Sequence, residues 1–223
     1  MSRPRDTNAQ SVPVCSGGQS VKSRGPGVAS AADRGPEVGG ILLTGGSSRR
    51  MGSDKADLII GGMTLARRVG LTLEQVAFPV IEVGPGRSGL SFVLEDPPGM
   101  GPLAAVVAGW KELERLRYHG PALVLACDLP LLTVDLLRWL ARMPGTASIF
   151  PVVAGRKQPL CARWSTAEFA LAESLMRRGN KSLRLLPQDP QALLAGPEAW
   201  STVVNINAFA DVDQPGDLQA PGL

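Results

Sequence analysis

The segment Leu43-Thr44-Gly45-Gly46-Ser47-Ser48-Arg49-Arg50-Met51-Gly52-Ser53-Asp54-Lys55 concentrates the residue types that hold anions. Gly45 and Gly46 let backbone amides approach a phosphate or a base with no Cβ in the way. Arg50 brings a planar fork of donors and Lys55 a compact point charge, the two forms in which a triphosphate is commonly neutralised. The glycine spacing matches neither the Walker A loop nor the dinucleotide fingerprint, which excludes the commoner phosphate loops. By composition alone a flexible, solvated basic turn is the competing reading. Two carboxylates also follow apolar runs, Asp96 after Phe92–Leu94 and Asp128 after Ala122–Ala126.

Such residues act only if regular elements aim them. Val38–Leu43 (VGGILL) predicts a strand that ends where the glycine loop begins. Met63–Val76 predicts a helix, with Leu65, Val69 and Leu73 at spacing four. Short strands follow at Phe78–Val83 and Phe92–Leu94. Pro102–Tyr118 predicts a helix with Pro at its start and Leu103, Val106, Val107, Trp110, Leu113 and Leu116 on one face. The continuous apolar run Ala122–Ala126 suits a strand covered on both faces. Thr133 can cap a helix over Thr133–Met143. Strands at Ile149–Val153 and Leu160–Arg163, a helix over Thr166–Arg178 and a last strand at Val203–Ile206 complete the pattern. Strand–helix alternation of this kind implies an α/β fold, a Rossmann-like, doubly wound and mostly parallel sheet in a single domain. Ligands bind such sheets at the carboxyl ends of strands, where Thr44, Asp96 and Asp128 fall.

Composition narrows the function class. Hydrophobic residues at 44% and charged residues at 19% suit a soluble globular enzyme, and 223 residues give one well-buried domain. Residues 1–36 are dense in Ser, Gly, Pro, Ala and Gln, and are expected to be a disordered extension ahead of a domain over 37–223. That stretch holds Arg3, Arg5, Lys22, Arg24 and Arg34 against Asp6 and Asp33, a surplus of +3 that equals the net charge of the whole chain. The remainder is neutral on balance, so no nucleic-acid partner is expected. Cys15, Cys127 and Cys161 are too few and scattered for a disulfide framework or a zinc site; the latter two read as buried small hydrophobes. No apolar run reaches the ~18–20 residues of a membrane span, and the N-terminus lacks the apolar core of a signal peptide, so a cytoplasmic enzyme is expected. The single histidine, His119, reads as a surface residue.

The glycine loop resembles that of nucleotidyltransferases that modify the molybdenum cofactor, L-A-G-G-x-x-x-R-M-G-x-x-K. Every fixed position matches except that Thr44 stands where Ala is usual. Asp96 with Gly101-Pro102-Leu103 resembles the family's D…GPL segment, and Ala126-Cys127-Asp128-Leu129-Pro130 its C-D-x-P. Asp211-Val212-Asp213-Gln214-Pro215-Gly216-Asp217-Leu218 resembles its closing D-x-D-T-P-x-D-L, with Gln214 in place of Thr. Sugar-phosphate nucleotidyltransferases share this fold but usually place Thr before the Arg-Met or Arg-Leu pair, where this chain has Arg49. Arg178-Gly179-Asn180-Lys181-Ser182-Leu183-Arg184 resembles the acceptor-side segment of the guanylyltransferases, which places guanylyl transfer ahead of cytidylyl transfer to the same acceptor.

The resemblance implies transfer of GMP from GTP to the terminal phosphate of molybdopterin, with release of pyrophosphate. A phosphate monoester is largely anionic near neutrality, its second pKa being about 6, so the attacking oxygen needs no dedicated base. The reaction needs charge neutralisation and in-line positioning, with Mg²⁺ as the usual solution. On this reading Arg50, Lys55 and Asp128 are the catalytic residues. Leu43, Thr44, Gly45, Gly46, Lys55, Asp96, Gly101 and Asp128 face the nucleotide, and Asp128 and Asp213 hold the metal, with Asn207 as the alternative to Asp213. Arg156, Lys157, Lys181 and Arg184 are candidates for the acceptor phosphate. GTP, molybdopterin and, further off, molybdoenzymes or other cofactor-biosynthesis proteins are the implied partners. A non-catalytic nucleotide-binding or chaperone-like partner of molybdoenzymes is the alternative of another class, which the presence of both Lys55 and Asp128 disfavours.

Overall fold

Residues 38–45, 54–96 and 98–212 are described by the computed structural model. The chain divides into the units Met1–Arg34 and Gly35–Leu223, and every described residue belongs to the second. The segment 1–36, expected to be disordered, lies outside the described residues.

In chain order the elements are β1 (Gly39–Leu43), β2 (Ile59–Ile60), β3 (Met63–Thr64), α1 (Leu65–Glu74), β4 (Val80–Val83), β5 (Phe92–Val93), α2 (Pro102–Arg115) and β6 (Ala122–Ala126). There follow α3 (Val134–Arg142), β7 (Ile149–Val153), β8 (Arg156–Lys157), β9 (Cys161–Trp164), α4 (Thr166–Arg177), β10 (Leu193–Ala195) and α5 (Pro197–Trp200). The main sheet runs β10-β7-β9-β6-β1-β4-β5, with β8 hairpinned onto β7. β1 is parallel to both β4 and β6, β4 to β5, and β7 to β10; β9 alone within this order runs antiparallel to its neighbours β6 and β7. The sheet is mixed but mostly parallel, with helices on both faces.

Alternation along β1 and β6 sorts the core into two halves. Leu42, Leu123 and Leu125 pack with α1 and α3 through Leu65, Val69, Leu73, Leu136 and Leu140. Ile41, Leu43 and Val124 pack with α2 and α4 through Leu103, Val106, Trp110 and Phe169. Both faces of β1 are covered, which is why its run is continuously apolar. Thr133 caps α3 by accepting the Leu136 N–H at 3.3 Å. Arg163 is fully buried at the end of that helix, where it donates to the Met143 carbonyl at 2.6 Å and to the Ala147 carbonyl at 3.0 Å. Burial lowers its pKa below the ordinary arginine value. No helix among the described residues is long and apolar enough to cross a membrane.

Three expectations are corrected. The helix expected from Met63 begins at Leu65, because Leu58–Thr64 turns back as the β2–β3 hairpin. Gly61 and Gly62, at φ +59° and +80°, supply the two left-handed residues that a tight hairpin turn needs. The second helix ends at Arg115, which leaves Leu116 42% exposed and not on the buried face. Val203–Ile206 is not a strand: the Asn205 side chain accepts the Asn207 N–H at 2.9 Å and starts a 3-10 turn over Ile206–Phe209. The last strand is instead β10, which pairs parallel to β7.

Candidate active site

The register places Leu43 of β1 opposite Val83 of β4 and Ala126 of β6, so the loops after three parallel strands emerge side by side. Backbone bonds carry the contact past the strand ends: the Thr44 N–H donates to the Val83 carbonyl at 3.0 Å and the Cys127 N–H to the Leu43 carbonyl at 3.0 Å. Between these ends and the first turn of α2 lies a cleft of about 650 Å³. Leu43, Thr44, Gly45, Lys55, Gly101 and Asp128 line it, as do Asp54 and Glu95. Asp96 does not: it is exposed, and its neighbour Glu95 faces the cleft in its place. An ideal Cβ at Gly45 would lie 3.8 Å from Glu95 Oε1, so the two define opposite walls of one narrow part. Gly46, Arg50 and Asp213 lie outside the described residues.

Lys55 opens a short 3-10 turn, Lys55–Asp57, that Asp54 caps by accepting the Ala56 N–H at 3.2 Å. Ala56 is fully buried in the core, which anchors the turn from below. The Lys55 ammonium then stands 3.9 Å from Asp128 Oδ2 across the cleft floor, so the structure brings the loop's lysine to the carboxylate that ends β6. The chain also returns here from its far end, because the buried Val212 donates its N–H to the Asp128 carbonyl at 3.0 Å. Asn207 is exposed and does not line the cleft. Among the described residues no three His, Cys, Asp or Glu side chains gather around a common point.

Glu82 has no counterpart in the sequence expectations. It is fully buried in β4 and accepts five hydrogen bonds: from the hydroxyls of Thr44 and Ser88, and from the N–H groups of Gly86 at 2.9 Å, Arg87 at 2.8 Å and Ser88 at 2.8 Å. Burial by itself raises the pKa of this carboxyl, yet the bonds from Ser88, Thr44 and the loop amides outweigh it and hold the group below the ordinary carboxylate value. A glutamate inside the apolar run Val80–Val83 was the available signal, since a buried charge demands donors. Thr44, at the loop's irregular position, is one of those donors. Its hydroxyl needs the glycine opposite: a Cβ on Gly84, itself at φ +149°, would come within 2.1 Å of Thr44 Oγ1.

The acceptor candidates are spread out. Arg156 and Lys157 sit on β8, where the Lys157 ammonium donates to the Leu186 carbonyl. Lys181 is exposed, but its backbone abuts the cleft: a Cβ at Gly101 would meet the Lys181 carbonyl oxygen at 3.1 Å. Arg184 is exposed beyond it. None of the four side chains lines the cleft. Cys127 and Cys161 are buried; burial first, and the Asp128 carboxylate second, push both thiols up to about 12. His119 is exposed.

Residues 40–191 match the family model of the MobA-like NTP transferase domain. The chain is 34% identical over 194 residues to a probable molybdenum cofactor guanylyltransferase of Opitutus terrae, covering 79% of this chain and 94% of that protein. It is 29% identical over 187 residues to a protein of the same description from Mycobacterium tuberculosis, covering 80% of this chain and 92% of the relative. Among solved structures it is similar to molybdopterin-guanine dinucleotide biosynthesis protein A of Archaeoglobus fulgidus, with a TM-score of 0.67 at 20% identity over 81% of this chain and 95% of that one. At that identity the likeness concerns the fold.

Proposed function

The chain belongs to the MobA-like NTP transferase family, a family of nucleotidyltransferases, and from that premise we propose that it is a molybdenum cofactor guanylyltransferase. It transfers GMP from Mg-GTP to the terminal phosphate of molybdopterin and releases pyrophosphate. The observation that carries the proposal is the meeting of Lys55, in the 3-10 turn beyond the β1 loop, and Asp128, just after β6, 3.9 Å apart in a cleft at the carboxyl ends of adjacent parallel strands that is large enough for a nucleotide. The relatives' descriptions supply the guanylyl specificity.

An oxygen of the acceptor phosphate attacks the α-phosphorus of GTP while the bond from that phosphorus to the bridging oxygen breaks, and pyrophosphate leaves with the electron pair. Lys55 offsets the charge that grows on the leaving phosphates, with Arg50 as its partner in the same loop. Gly45 lets the base or ribose lie against the backbone, and Glu95 replaces Asp96 as the carboxylate facing it. The Asp128 carboxylate in the cleft suits Mg²⁺, which takes one or two carboxylates plus substrate phosphates and keeps its remaining waters. Asp128 would hold it, with Asp213 following Val212 as the second carboxylate. When bound, the ion supplies charge neutralisation between two anionic reactants.

Turnover of GTP, CTP and ATP is measured as pyrophosphate release with and without molybdopterin. Release from GTP that requires the acceptor supports the proposal. A preference for CTP moves the assignment to cytidylyl transfer, and binding of nucleotide without turnover replaces the enzyme with a nucleotide-binding partner.

A further inference from the structure

We propose that Arg87 is a positioning residue for Lys55, a brace that fixes the short turn carrying the lysine against the cleft floor. The inference rests on the nucleotidyltransferase reading of that cleft.

The guanidinium of Arg87 spans the two carboxylates that flank Lys55. It stands 3.2 Å from Asp54 Oδ2 and bonds Asp57 Oδ2 with its Nη1. Asp54 divides its two oxygens between separate tasks, Oδ1 capping the turn at the Ala56 N–H and Oδ2 meeting Arg87. A planar fork with fixed donors suits this bridging, which a single ammonium cannot reproduce. The brace is itself anchored. The Arg87 N–H donates to Glu82 Oε1 at 2.8 Å, and the N–H groups of Gly86 and Ser88 on either side bond the same carboxylate. A continuous path therefore runs from a buried carboxylate in β4, through Arg87, to Asp54 and Asp57 on either side of Lys55.

Arg87 does not line the cleft, so its influence on a bound triphosphate passes through Lys55. Its own side chain is 26% exposed and Asp57 is 55% exposed, and ion pairs that open to solvent contribute little to folding. Placement is a different matter: a catalytic group displaced by about 1 Å costs on the order of 100-fold in rate. The brace thus acts on turnover far more than on stability.

The test is a double-mutant cycle with wild type, Lys55→Met, Arg87→Met and the double variant, each assayed for kcat and KM with the NTP that the wild type turns over. Arg87→Met is expected to lower kcat/KM by about 10- to 100-fold, through the same parameter that Lys55→Met changes. The double variant is expected to be no worse than Lys55→Met alone, because the brace has nothing left to position. Factors that multiply in the double variant overturn the proposal, as does an Arg87→Met enzyme within twofold of wild type. Urea midpoints accompany every variant. If Arg87→Met fails to fold, Asp57→Asn, which removes one leg of the brace at a residue outside the cleft, is expected to give a smaller loss with the same non-additivity. A wild type that uses an NTP other than GTP overturns the guanylyl assignment and leaves the cycle intact. A wild type that turns over no NTP overturns both.

Discussion

Replacing Thr44 by Ala installs the residue that the glycine loop usually carries, and in this protein it is expected to be costly. Thr44 is 1% exposed and its hydroxyl donates to the ionised, fully buried Glu82. A hydrogen bond to a charged group is worth about 1.5–3 kcal/mol. The lower half of that range applies, because four other donors stay on the carboxylate. The buried methyl adds about 0.8 kcal/mol, so the total loss is about 2–3 kcal/mol. Thr44→Ser keeps the donor and should lose only the methyl part, about 0.8 kcal/mol. The larger part of the Thr44→Ala loss depends on charge. Glu82 has a folded pKa below its unfolded one, so its contribution is complete above the unfolded value of about 4.3. It disappears as the pH falls through the folded value. Urea unfolding of the three proteins from pH 7 down into the acid range where Glu82 protonates in the folded protein, below its unfolded value, should show the Thr44→Ala deficit shrinking there, with Thr44→Ser flat throughout. A Thr44→Ala deficit below about 0.5 kcal/mol at pH 7, or one that does not change with pH, would refute the account of Glu82 as an ionised hub.

Other outcomes follow from the same geometry. Asp128→Asn should cut pyrophosphate release by about 100-fold or more while the far-ultraviolet circular dichroism stays that of wild type; near-normal turnover would remove Asp128 from the chemistry. Glu95→Gln should weaken nucleotide binding several-fold and Asp96→Asn should leave it within twofold of wild type, since only Glu95 lines the cleft; fluorescence titration that ranks them the other way would contradict the cleft as described. In a Cys15→Ser background, Cys127 and Cys161, with thiols near 12, should resist an aromatic disulfide reagent at pH 8 until denaturant is added. Prompt reaction in the folded state would show that one of them is accessible.

Much of the fold was legible because burial leaves periodic traces. The β1, β6 and β7 runs and the Leu65, Val69, Leu73 stripe are places where local pattern and tertiary packing demand the same residues. The misplaced elements are those where local side-chain bonding or turn chemistry overrides hydrophobicity. Asn205 captures a neighbouring amide and prevents a strand at Val203–Ile206, and the Gly61-Gly62 pair folds Ile59–Thr64 back on itself before α1 begins. The short strand β10, with Leu193 and Leu194 exposed, carries no alternation to read. In the site, Gly45 and Asp128 lie two residues beyond strand ends, Gly101 stands just before the first residue of α2 and Lys55 opens a 3-10 turn, positions that a linear pattern marks. Asp96 against Glu95 is a choice of one residue in a turn, and only backbone direction decides which carboxylate faces inward.

Glu82 marks the limit of motif reading more sharply, because its partners lie 38, 4, 5 and 6 residues away and no spacing rule connects Thr44 to Ser88. What connects them is register. β1 and β4 are parallel with Leu43 opposite Val83, so the residue after one strand necessarily meets the last turn of backbone around the other. A carboxylate one residue short of that point can recruit a hydroxyl from the first strand and amides from the loop after its own. Thr44 is then not an isolated departure from the usual Ala. It is one of a set with Gly84, whose missing Cβ leaves room for the hydroxyl, and with Glu82, whose charge requires it. Such a set constrains substitution jointly: Gly84→Ala in the presence of Thr44 forces a clash with Oγ1, whereas in Thr44→Ala that clash is gone and what remains is the backbone strain at φ +149° and the 2.8 Å approach of the new Cβ to the Gly45 backbone nitrogen. The coupling between these two positions is therefore set by geometry before any ligand enters the cleft.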